Sequence, residues 1–189
     1  MFVGCAITLL CLMSVSHSAP VCEKLVQPLD QLDRHHLEGS WVLVAGCVKD
    51  SDDLEYYNTR ESAVIQFANA SESSEISFKR MFGFNDSCKY IHSNISLEGS
   101  GFTFDDSNLT VTFLYTSCPD CLVTRFDLPG KLKRLYVFSR RRALEQSEME
   151  EFKNQSECLN MLQPIVMDPT KQLCPEQDSK GEITEGQKA

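Results

Sequence analysis

Two cysteines separated by two residues, Cys118 and Cys121 in the stretch TSCPDC, have the spacing of a redox dithiol or of half a zinc site. A redox motif lies where a strand leads into a helix, and a zinc site needs a second cysteine or histidine pair. The sequence shows neither around this stretch. Pro119 and Asp120 suit the centre of a tight turn, which brings the flanking Cα atoms within about 7 Å. We therefore predict a Cys118–Cys121 disulfide. The alternative interpretation is a redox or zinc site. We expect the protein to hold no metal and no cofactor.

Nucleophilic catalysis requires a cysteine or serine activated by a nearby base. After residue 18 the chain contains three histidines, His35, His36 and His92. The first two precede the first apolar run, and His92 has the parity of an outward-facing strand residue, so no triad can be assembled. The sequence therefore predicts a protein that is not an enzyme.

The first residues have the pattern of a secretory leader. Met1 to Leu12 is almost entirely apolar, and small residues follow before any charge appears. We predict that residues 1–18 are a signal peptide and that the secreted chain starts at Ala19, with a retained anchor as the alternative. The apolar core is shorter than the ~18 to 20 residues of a membrane helix, and no later stretch reaches that length. No stable membrane insertion is expected.

Secretion changes the expected chemistry of the remaining cysteines and of several asparagines. Seven cysteines follow the predicted leader, and the oxidising route makes disulfides their default state, with one cysteine left over. Five Asn-x-Ser/Thr sequons predict a glycoprotein, because a glycan needs a side chain that faces solvent. The acceptor residues are Asn69, Asn85, Asn94, Asn108 and Asn154.

The charge balance limits the classes of partner. With 18 basic and 27 acidic residues the net charge is −9, and no basic face is clustered in the sequence. This argues against nucleic acid and anionic membranes as partners. The expected partner is a small hydrophobic or amphipathic molecule, and the protein is expected to be a monomer. The polar residues 176–189 are predicted to be a disordered tail.

Short apolar runs, broken by Asp, Asn, Ser and Gly, fill the region between Gly39 and Arg142. Eight such runs without an intervening helix indicate an antiparallel barrel or sandwich. The runs are Trp41–Val48, Ala63–Ala68, Ile76–Phe84, Cys88–Leu97, Gly101–Phe104, Leu109–Thr116, Leu122–Leu128 and Arg134–Ser139.

A change to helical periodicity follows the eighth run. The stretch from Ser147 to Glu150 reads as a capping box, and apolar residues then recur at helical spacing up to Pro164. The apolar positions are Met149, Phe152, Leu159 and Leu162. On this helix Asn154 points away from the packed face.

These features together resemble the lipocalin family. The resemblance rests on Gly39-Ser40-Trp41, on TSCPDC, on LYVFSRR at 135–141 and on cysteine placement. Within that family the chain is similar to the group of orosomucoid (alpha-1-acid glycoprotein) and apolipoprotein M, and to fish plasma proteins described as binding tributyltin or saxitoxin and tetrodotoxin. The resemblance implies an all-β, eight-stranded antiparallel up-and-down barrel over residues 19–175, with one C-terminal α-helix packed outside.

The resemblance also assigns structural roles. Gly39 opens the motif, Trp41 closes the narrow end of the barrel, and Arg140, or failing that Arg141, lies across the indole. The family's two disulfides carry over to Cys22–Cys158 and Cys88–Cys174. Apolipoprotein M has no counterpart of Cys121 and pairs the equivalent of Cys118 with a helix cysteine. Glu148 stands at that helix position here.

Alternation predicts which side chains face the interior of the barrel. An inward Trp41 places Leu43, Ala45 and Cys47 on the same face. If Asn94 and Asn108 carry glycans they must point outward, so residues of the opposite parity on the same strands point inward. These inward residues are Lys89, Ile91, Ser93 and Ile95 on one strand and Leu109, Val111, Phe113 and Tyr115 on the other.

On the last strand the resemblance turns Arg134, Tyr136 and Phe138 inward. It places Arg134 where apolipoprotein M binds a lipid head group, and Tyr136 and Phe138 near ligand contacts of orosomucoid. The alternative leaves Arg134 in water at the barrel mouth. The expected ligand contacts are Leu43, Cys47, Ile91, Ile95, Val111, Phe113, Tyr115, Arg134, Tyr136 and Phe138.

Cys47 is the cysteine without a partner in these pairings. As an inward thiol it could contact the ligand, and a thiolate acceptor such as an organotin would suit it. The alternative is a buried small hydrophobic residue, since nothing adjacent lowers its pKa.

The predicted function is that of a secreted plasma carrier holding a lipid, toxin or organotin-like xenobiotic non-covalently in its calyx. The alternative is an acute-phase or immunomodulatory glycoprotein that acts through protein or glycan contacts. The net charge of −9 favours a basic ligand and Arg134 an anionic one, so both remain open.

Overall fold

The computed structural model describes residues 18–70, 74–85 and 87–177. The helices are α1 Ser18–Leu25, α2 Arg34–Leu37, α3 Asp52–Asn58 and α4 Gln146–Cys158. The strands are β1 Gly39–Val48, β2 Ser62–Ala68, β3 Glu75–Phe84, β4 Ser87–Ser96, β5 Gly101–Phe104, β6 Leu109–Leu114, β7 Cys121–Leu128, β8 Lys131–Ser139 and β9 Ile165–Val166.

The eight long strands form one antiparallel up-and-down barrel, as predicted. They follow the order β4-β3-β2-β1-β8-β7-β6-β5, in which neighbouring strands are hydrogen-bonded. The strands β4 and β5 are the two edges of this sheet, and the barrel closes between them. Each strand except these two exchanges hydrogen bonds with a neighbour on both sides, which leaves few free edges. The barrel is therefore nearly closed, and its inward-facing side chains form a common interior.

The predicted C-terminal helix, α4, is present, and three short helices that were not predicted precede or interrupt the strands. α1 and α2 lie before β1, and α3 lies between β1 and β2. The shortest, α2, has four residues, and α3 has seven. Segments of one or two turns contain too few apolar positions for helical periodicity to be detected. A ninth strand, β9, pairs antiparallel with Ala45 and Gly46 in the second half of β1.

The parity predicted for β1 is correct as far as Leu43 and wrong beyond it. Leu43 pairs with Phe138 of β8, but Ala45 pairs with the next residue, Val137, so Val44 is an extra residue in β1. Such a bulge shifts the alternation by one position. Ala45 and Cys47 therefore face outward and pack beneath α4.

The C-terminal helix packs against the outside of the barrel, but its start differs from the prediction. The capping box is formed by Glu145 and Glu148 rather than by Ser147 and Glu150, and the Glu145 amide donates to Glu148 Oε2 at 2.8 Å. The helix ends at Cys158, so Leu162 lies beyond it. Phe152 is buried against the barrel.

Three disulfides join the barrel to its surrounding segments, with the same pairings that the sequence analysis predicts. Cys22–Cys158 ties α1 to α4, Cys88–Cys174 ties β4 to the C-terminal segment, and Cys118–Cys121 closes the turn between β6 and β7. Their Cα–Cα distances of 5.3, 5.8 and 5.3 Å fall in the range of ordinary disulfides.

The ends of the chain are described only in part. Residues 1–17, which hold nearly all of the predicted signal peptide, and residues 178–189, which hold most of the predicted tail, lie outside the described residues. Glu176 is described and accepts a hydrogen bond from Ser40 Oγ at 3.3 Å. Within the described ranges, no helix is both long and apolar enough to cross a membrane.

Candidate ligand-binding cavity

The narrow end of the barrel is closed by Trp41, which is fully buried. Its indole Nε1 donates to the carbonyl of Leu37 at 2.8 Å, and the ring of His36 contacts it edge-on at 5.2 Å. The guanidinium carbon of Arg140 lies 3.7 Å from the indole centroid, a cation–π contact. This end of the barrel is sealed by side chains.

The glycine of the Gly-x-Trp motif is required by this seal. Gly39 has a φ of +93°, a conformation that favours glycine, and a Cβ at this position would lie 2.9 Å from Arg140 Nη1. Arg140 also donates to the carbonyls of Ser40, His36 and Glu38. Arg141, the other arginine considered for this role, instead binds Asp120 and Glu148 on the side of the barrel.

Above the indole, phenylalanines form the lower part of the interior. Phe67 stacks on Phe78 with centroids 4.8 Å apart, and Phe102 contacts Phe78 at 5.5 Å. Phe113 joins the group at 6.3 Å from Phe67. Rings in these arrangements bury a large apolar area, so the floor of the interior is aromatic.

A cavity of about 90 Å³ lies over this floor. Its walls are mostly apolar, and the polar side chains among them are Thr124, Tyr136 and three arginines. The lining includes Ala63, Ile65, Phe82, Phe104, Leu109, Val111, Phe113, Thr124, Phe126, Tyr136 and Phe138. Apolar walls with a few polar groups are typical of small-molecule sites.

Five of the residues expected to contact a ligand line this cavity, namely Val111, Phe113, Arg134, Tyr136 and Phe138. Leu43 and Ile95 are buried in the same hydrophobic core without lining the cavity. Ile91 is half-buried opposite Arg80 and does not line it either.

Two expected contacts are contradicted by their positions. Tyr115 lies past the end of β6, is 46% exposed, and borders an outer groove between α1 and α4. Cys47 lies outside the barrel because of the bulge in β1. Lys89, which shares the predicted inward parity, is exposed near the start of β4.

The free thiol of Cys47 is buried under α4. Burial raises the pKa of Cys47 to about 12, and its hydrogen bond to the Leu135 carbonyl, at 3.7 Å, lowers it only in part. The thiol is therefore protonated at neutral pH and unreactive. It behaves as the small hydrophobic residue of the alternative interpretation.

The helix α3 lies at the open end of the barrel. Tyr57 is buried there, with its ring 5.7 Å from that of Tyr136, and burial raises the pKa of its phenol well above the ordinary value. Asp53 of the same helix forms a salt bridge with Lys133 at 2.7 Å and lies 3.9 Å from Arg134. These contacts hold α3 to β8 over the mouth.

Two arginines that were not predicted from the sequence, Arg60 and Arg80, line the cavity. Arg80 lies between Phe78 and Phe82 on β3, so the alternation Phe-x-Arg-x-Phe was a usable signal. Arg60 precedes β2 and belongs to no periodic pattern. Only the folded chain brings it next to the other residues of the site.

The other side chains considered for catalysis or metal binding lie outside the cavity. His35, His36 and His92 are exposed and do not line the cavity. Cys118, Asp120 and Cys121 lie within metal-binding distance of one another, but the disulfide removes both thiolates as ligands. This result favours the disulfide over the redox or zinc interpretation of the stretch.

The side chains of all five sequon asparagines are exposed, and none lines the cavity. Asn69, Asn85 and Asn108 have positive φ angles of 60°, 41° and 52°. Asparagine tolerates this conformation better than most residues. Asn94 lies on β4 and Asn154 on α4.

A protein-family model described as the ApoM domain matches residues 26–178. The chain belongs to this family. The ApoM-domain match covers the barrel, α4 and the C-terminal segment, and leaves α1 outside. A search of the curated proteins finds no match.

Solved structures show the same fold as this ApoM-domain chain. One is the siderocalin Ex-FABP, described as functioning through dual ligand specificities, with 14% identity, a TM-score of 0.63, and coverage of 76% of this chain and 97% of that one. Another is the siderocalin Q83, described as revealing a dual ligand binding mode, with 14% identity, a TM-score of 0.64, and coverage of 77% and 96%. Both are lipocalins, so the ApoM-domain chain has the lipocalin fold.

Proposed function

We propose that the protein is a secreted carrier that holds a small hydrophobic or amphipathic molecule non-covalently inside its barrel. The observation that carries the proposal is the cavity itself, which lies over an aromatic floor and is lined mostly by apolar side chains. Apolar surface of the ligand would supply the binding energy, at about 2.5 kcal/mol for each 100 Å² buried. Arg134 and Tyr136 would orient it.

The range of ligands includes lipids and toxins, in keeping with the resemblance to orosomucoid and to the toxin-binding plasma proteins of fish. The argument for an organotin depended on an inward Cys47, and that residue lies outside the barrel. An organotin therefore has no special support. The three disulfides are those expected of a chain that folds in an oxidising compartment.

Binding rather than catalysis is proposed because the cavity lining holds no histidine, cysteine or carboxylate among the described residues. Hydroxyl groups of Thr124 and Tyr136 line the cavity, and Arg80 donates to the hydroxyl of Ser93. Without a histidine or carboxylate among the described lining residues, none of these hydroxyls has a general base that would activate it as a nucleophile.

A fluorescence titration tests the carrier proposal with two matched variants. Thr124 is buried and lines the cavity, whereas Thr103 is exposed on the outer face of β5. With the neutral dye N-phenyl-1-naphthylamine, Thr124→Phe should lower the affinity at least about tenfold, because the added ring fills the small cavity. Thr103→Phe should leave it unchanged. Equal dye binding by both variants, with their folding verified by circular dichroism, would show that the dye binds elsewhere.

The second candidate is an acute-phase or immunomodulatory glycoprotein. It is favoured by the exposure of all five sequon asparagines, which places any glycans on the outside, where receptors could reach them. The two functions differ in what they require, since a carrier needs the cavity and a glycan-mediated activity needs the sugars.

A further inference from the structure

A groove of about 560 Å³ lies on the outside of the barrel, between α1, α4 and the chain that leaves β6. Its surface is mainly apolar. Two of the large apolar side chains that remain exposed to solvent belong to it, Val21 at 56% and Tyr115 at 46%. The volume is that of a site for a small organic molecule, so the groove can hold an occupant of that size.

The walls of this outer groove are fixed to one another. A disulfide joins α1 to α4. Gln155 of α4 is fully buried, and its Nε2 donates to the carbonyls of Leu25 at 3.0 Å and Tyr115 at 2.8 Å. One turn earlier in α4, Glu151 accepts a hydrogen bond from the amide of Ser117 at 3.0 Å. The segment after β6 is therefore held alongside α4, and the groove has a defined shape.

The sequon residue Asn154 is itself part of the groove lining, and its side chain is exposed. It shares one face of α4 with Ser147, Glu150 and Glu151, because these residues precede it by seven, four and three positions. The exposed ring of Tyr115 borders the same groove. None of the other four sequon asparagines lines it. A glycan attached to Asn154 therefore starts inside the groove.

The first sugar of an N-glycan, N-acetylglucosamine, suits the composition of the outer groove. Its ring has an apolar face of C–H groups and hydroxyl groups around the edge. The face of an aromatic side chain carries negative partial charge and attracts such C–H groups. Lys24, Ser117, Ser147 and Glu150 line the groove and offer hydrogen-bond partners for the hydroxyls. The sugar is uncharged, so it is compatible with both signs of charge around it.

A second protein molecule fits the outer groove less well than a sugar. Nine described side chains line it, whereas a stable protein interface involves about 20 to 30 residues on each side. A bulky glycan attached to the wall would also obstruct any other occupant. The small area and the position of Asn154 therefore both favour the glycan.

We propose that the N-glycan of Asn154 folds back onto the protein, with its first N-acetylglucosamine packed in the outer groove against the ring of Tyr115. The proposal rests on glycosylation of Asn154, which the sequon predicts, and it is independent of the carrier proposal. The sugar shields Tyr115 and Val21 from water. Because the groove has fixed walls, the outer branches of the glycan leave the protein in a defined direction.

Nuclear magnetic resonance tests the contact in protein secreted by a host that attaches oligomannose glycans. An endoglycosidase trims each glycan to one N-acetylglucosamine, and glycopeptide mass spectrometry measures the occupancy of Asn154. We expect nuclear Overhauser effects between the Asn154 sugar and the Tyr115 ring. We also expect an upfield ring-current shift of its protons relative to the sugars at other occupied sites. Asn154→Gln assigns these signals by removing them.

Variants of two exposed tyrosines identify the ring responsible. Tyr115→Ser removes the ring from the groove and should abolish the upfield shift. Tyr56→Ser is the matched control, because Tyr56 is 50% exposed on α3 and does not line the groove. It should keep the wild-type shift.

Thermal unfolding measures the contribution of the contact to stability. Asn154→Gln should lower the Tm by about 3 °C in the wild-type background and by less than about 1 °C in the Tyr115→Ser background, where the contact is already lost. Asn94→Gln is the control, because Asn94 lies on β4 outside the groove. It should change the Tm equally in both backgrounds.

Three outcomes would contradict the proposal. The first is an unoccupied Asn154 in the secreted protein, and the second is a sugar with the chemical shifts of a freely exposed one. The third is self-association of the glycosylated protein that Tyr115→Ser abolishes, since a second copy would then occupy the groove. The carrier proposal stands in each case, because the groove lies outside the barrel. The Overhauser effects in the wild-type protein decide the question even if a variant is not secreted.

Discussion

At the scale of single residues, the seal at the narrow end shows how few side chains define one end of the site. Trp41 lies between the guanidinium of Arg140 and the ring of His36. Gly39 leaves the space in which Arg140 lies. The Gly-x-Trp motif therefore packs together with Arg140, which directly follows β8.

The first prediction concerns Arg140. Arg140→Ala should lower the free energy of unfolding by about 1–2 kcal/mol, because it removes the cation–π contact and hydrogen bonds to three carbonyls. Arg142→Ala, which removes one exposed hydrogen bond to the Lys171 carbonyl, is the control and should have little effect. Urea denaturation followed by Trp41 fluorescence measures both. Equal losses for the two variants would contradict the role assigned to the seal.

A second prediction concerns the thiol of Cys47. Since burial raises its pKa to about 12, the thiol stays protonated from neutral pH up to about that value. A disulfide reagent at pH 8 should therefore modify Cys47 only after the protein is unfolded. The Cys47→Ala variant identifies the signal, because it should lack that thiol under denaturing conditions. Rapid modification of native wild-type protein, absent in the variant, would show that Cys47 is accessible.

At the scale of the elements, the bulge in β1 decides which residues enter the site. One extra residue, Val44, turns Ala45 and Cys47 towards α4 and leaves Gly46 facing the interior beside Tyr136. A glycine there makes room for α3, because a Cβ on Gly46 would lie 2.6 Å from Tyr57 Oη and from Tyr136 Cδ1. The packing of side chains at the mouth of the barrel thus depends on the register of β1 on β8.

The third prediction tests this packing. Gly46→Ala should destabilise the protein by about 1–3 kcal/mol, because the methyl group overpacks the space between α3 and β8. Tyr57→Phe removes the hydroxyl, one of the two groups that would lie 2.6 Å from the added carbon. The double variant should therefore be more stable than the sum of the two single effects predicts, as measured in a double-mutant cycle. Strict additivity would mean that α3 does not contact Gly46.

The fourth prediction compares two disulfides that join elements over very different chain lengths. Cys22–Cys158 spans a sequence separation of 136, and Cys118–Cys121 one of 3. On chain-entropy grounds, replacing both cysteines by alanine should cost about 5 kcal/mol for the first and about 2 kcal/mol for the second. Denaturant unfolding of the two double variants measures the difference. A larger loss from the short loop would show that local packing around the turn dominates.

At the scale of the whole molecule, the barrel separates two chemical environments. The sequon asparagines are exposed on the outside, whereas the aromatic floor and three arginines face the interior. The sequon residues Asn69, Asn85 and Asn108 lie in loops and turns, whereas most of the residues that line the cavity lie on strands. The two proposed functions therefore use different surfaces.

The fifth prediction follows from this separation. If the protein is expressed through a secretory pathway and carries N-glycans as proposed, their enzymatic removal should leave its affinity for N-phenyl-1-naphthylamine unchanged, because no sequon asparagine lines the cavity. Wild-type protein treated with heat-inactivated enzyme is the control. Loss of dye binding with the fold intact would contradict a cavity-based carrier and favour the glycan-dependent alternative.

Much of this molecule is specified by local patterns in its sequence. Alternation of apolar residues defines eight strands, and the outward sequon asparagines Asn94 on β4 and Asn108 just before β6 predict that Ile95, Val111 and Phe113 face the core. Short-range rules of this kind hold because neighbouring side chains on a strand must point to opposite faces. They fail where a strand is interrupted, as at Val44, or where it ends, as before Tyr115.

What only the tertiary structure decided is the register of β1 on β8 and the meeting of the three arginines. Arg60, Arg80 and Arg134 come from segments far apart in the chain, and their proximity results from closure of the barrel. No local rule encodes such a meeting, because each arginine taken alone is compatible with an exposed position. Apolar alternation in the sequence predicted a barrel or sandwich, and the lipocalin resemblance added its seal and two of its disulfides. Long-range strand pairing determined which charges face the interior of the barrel.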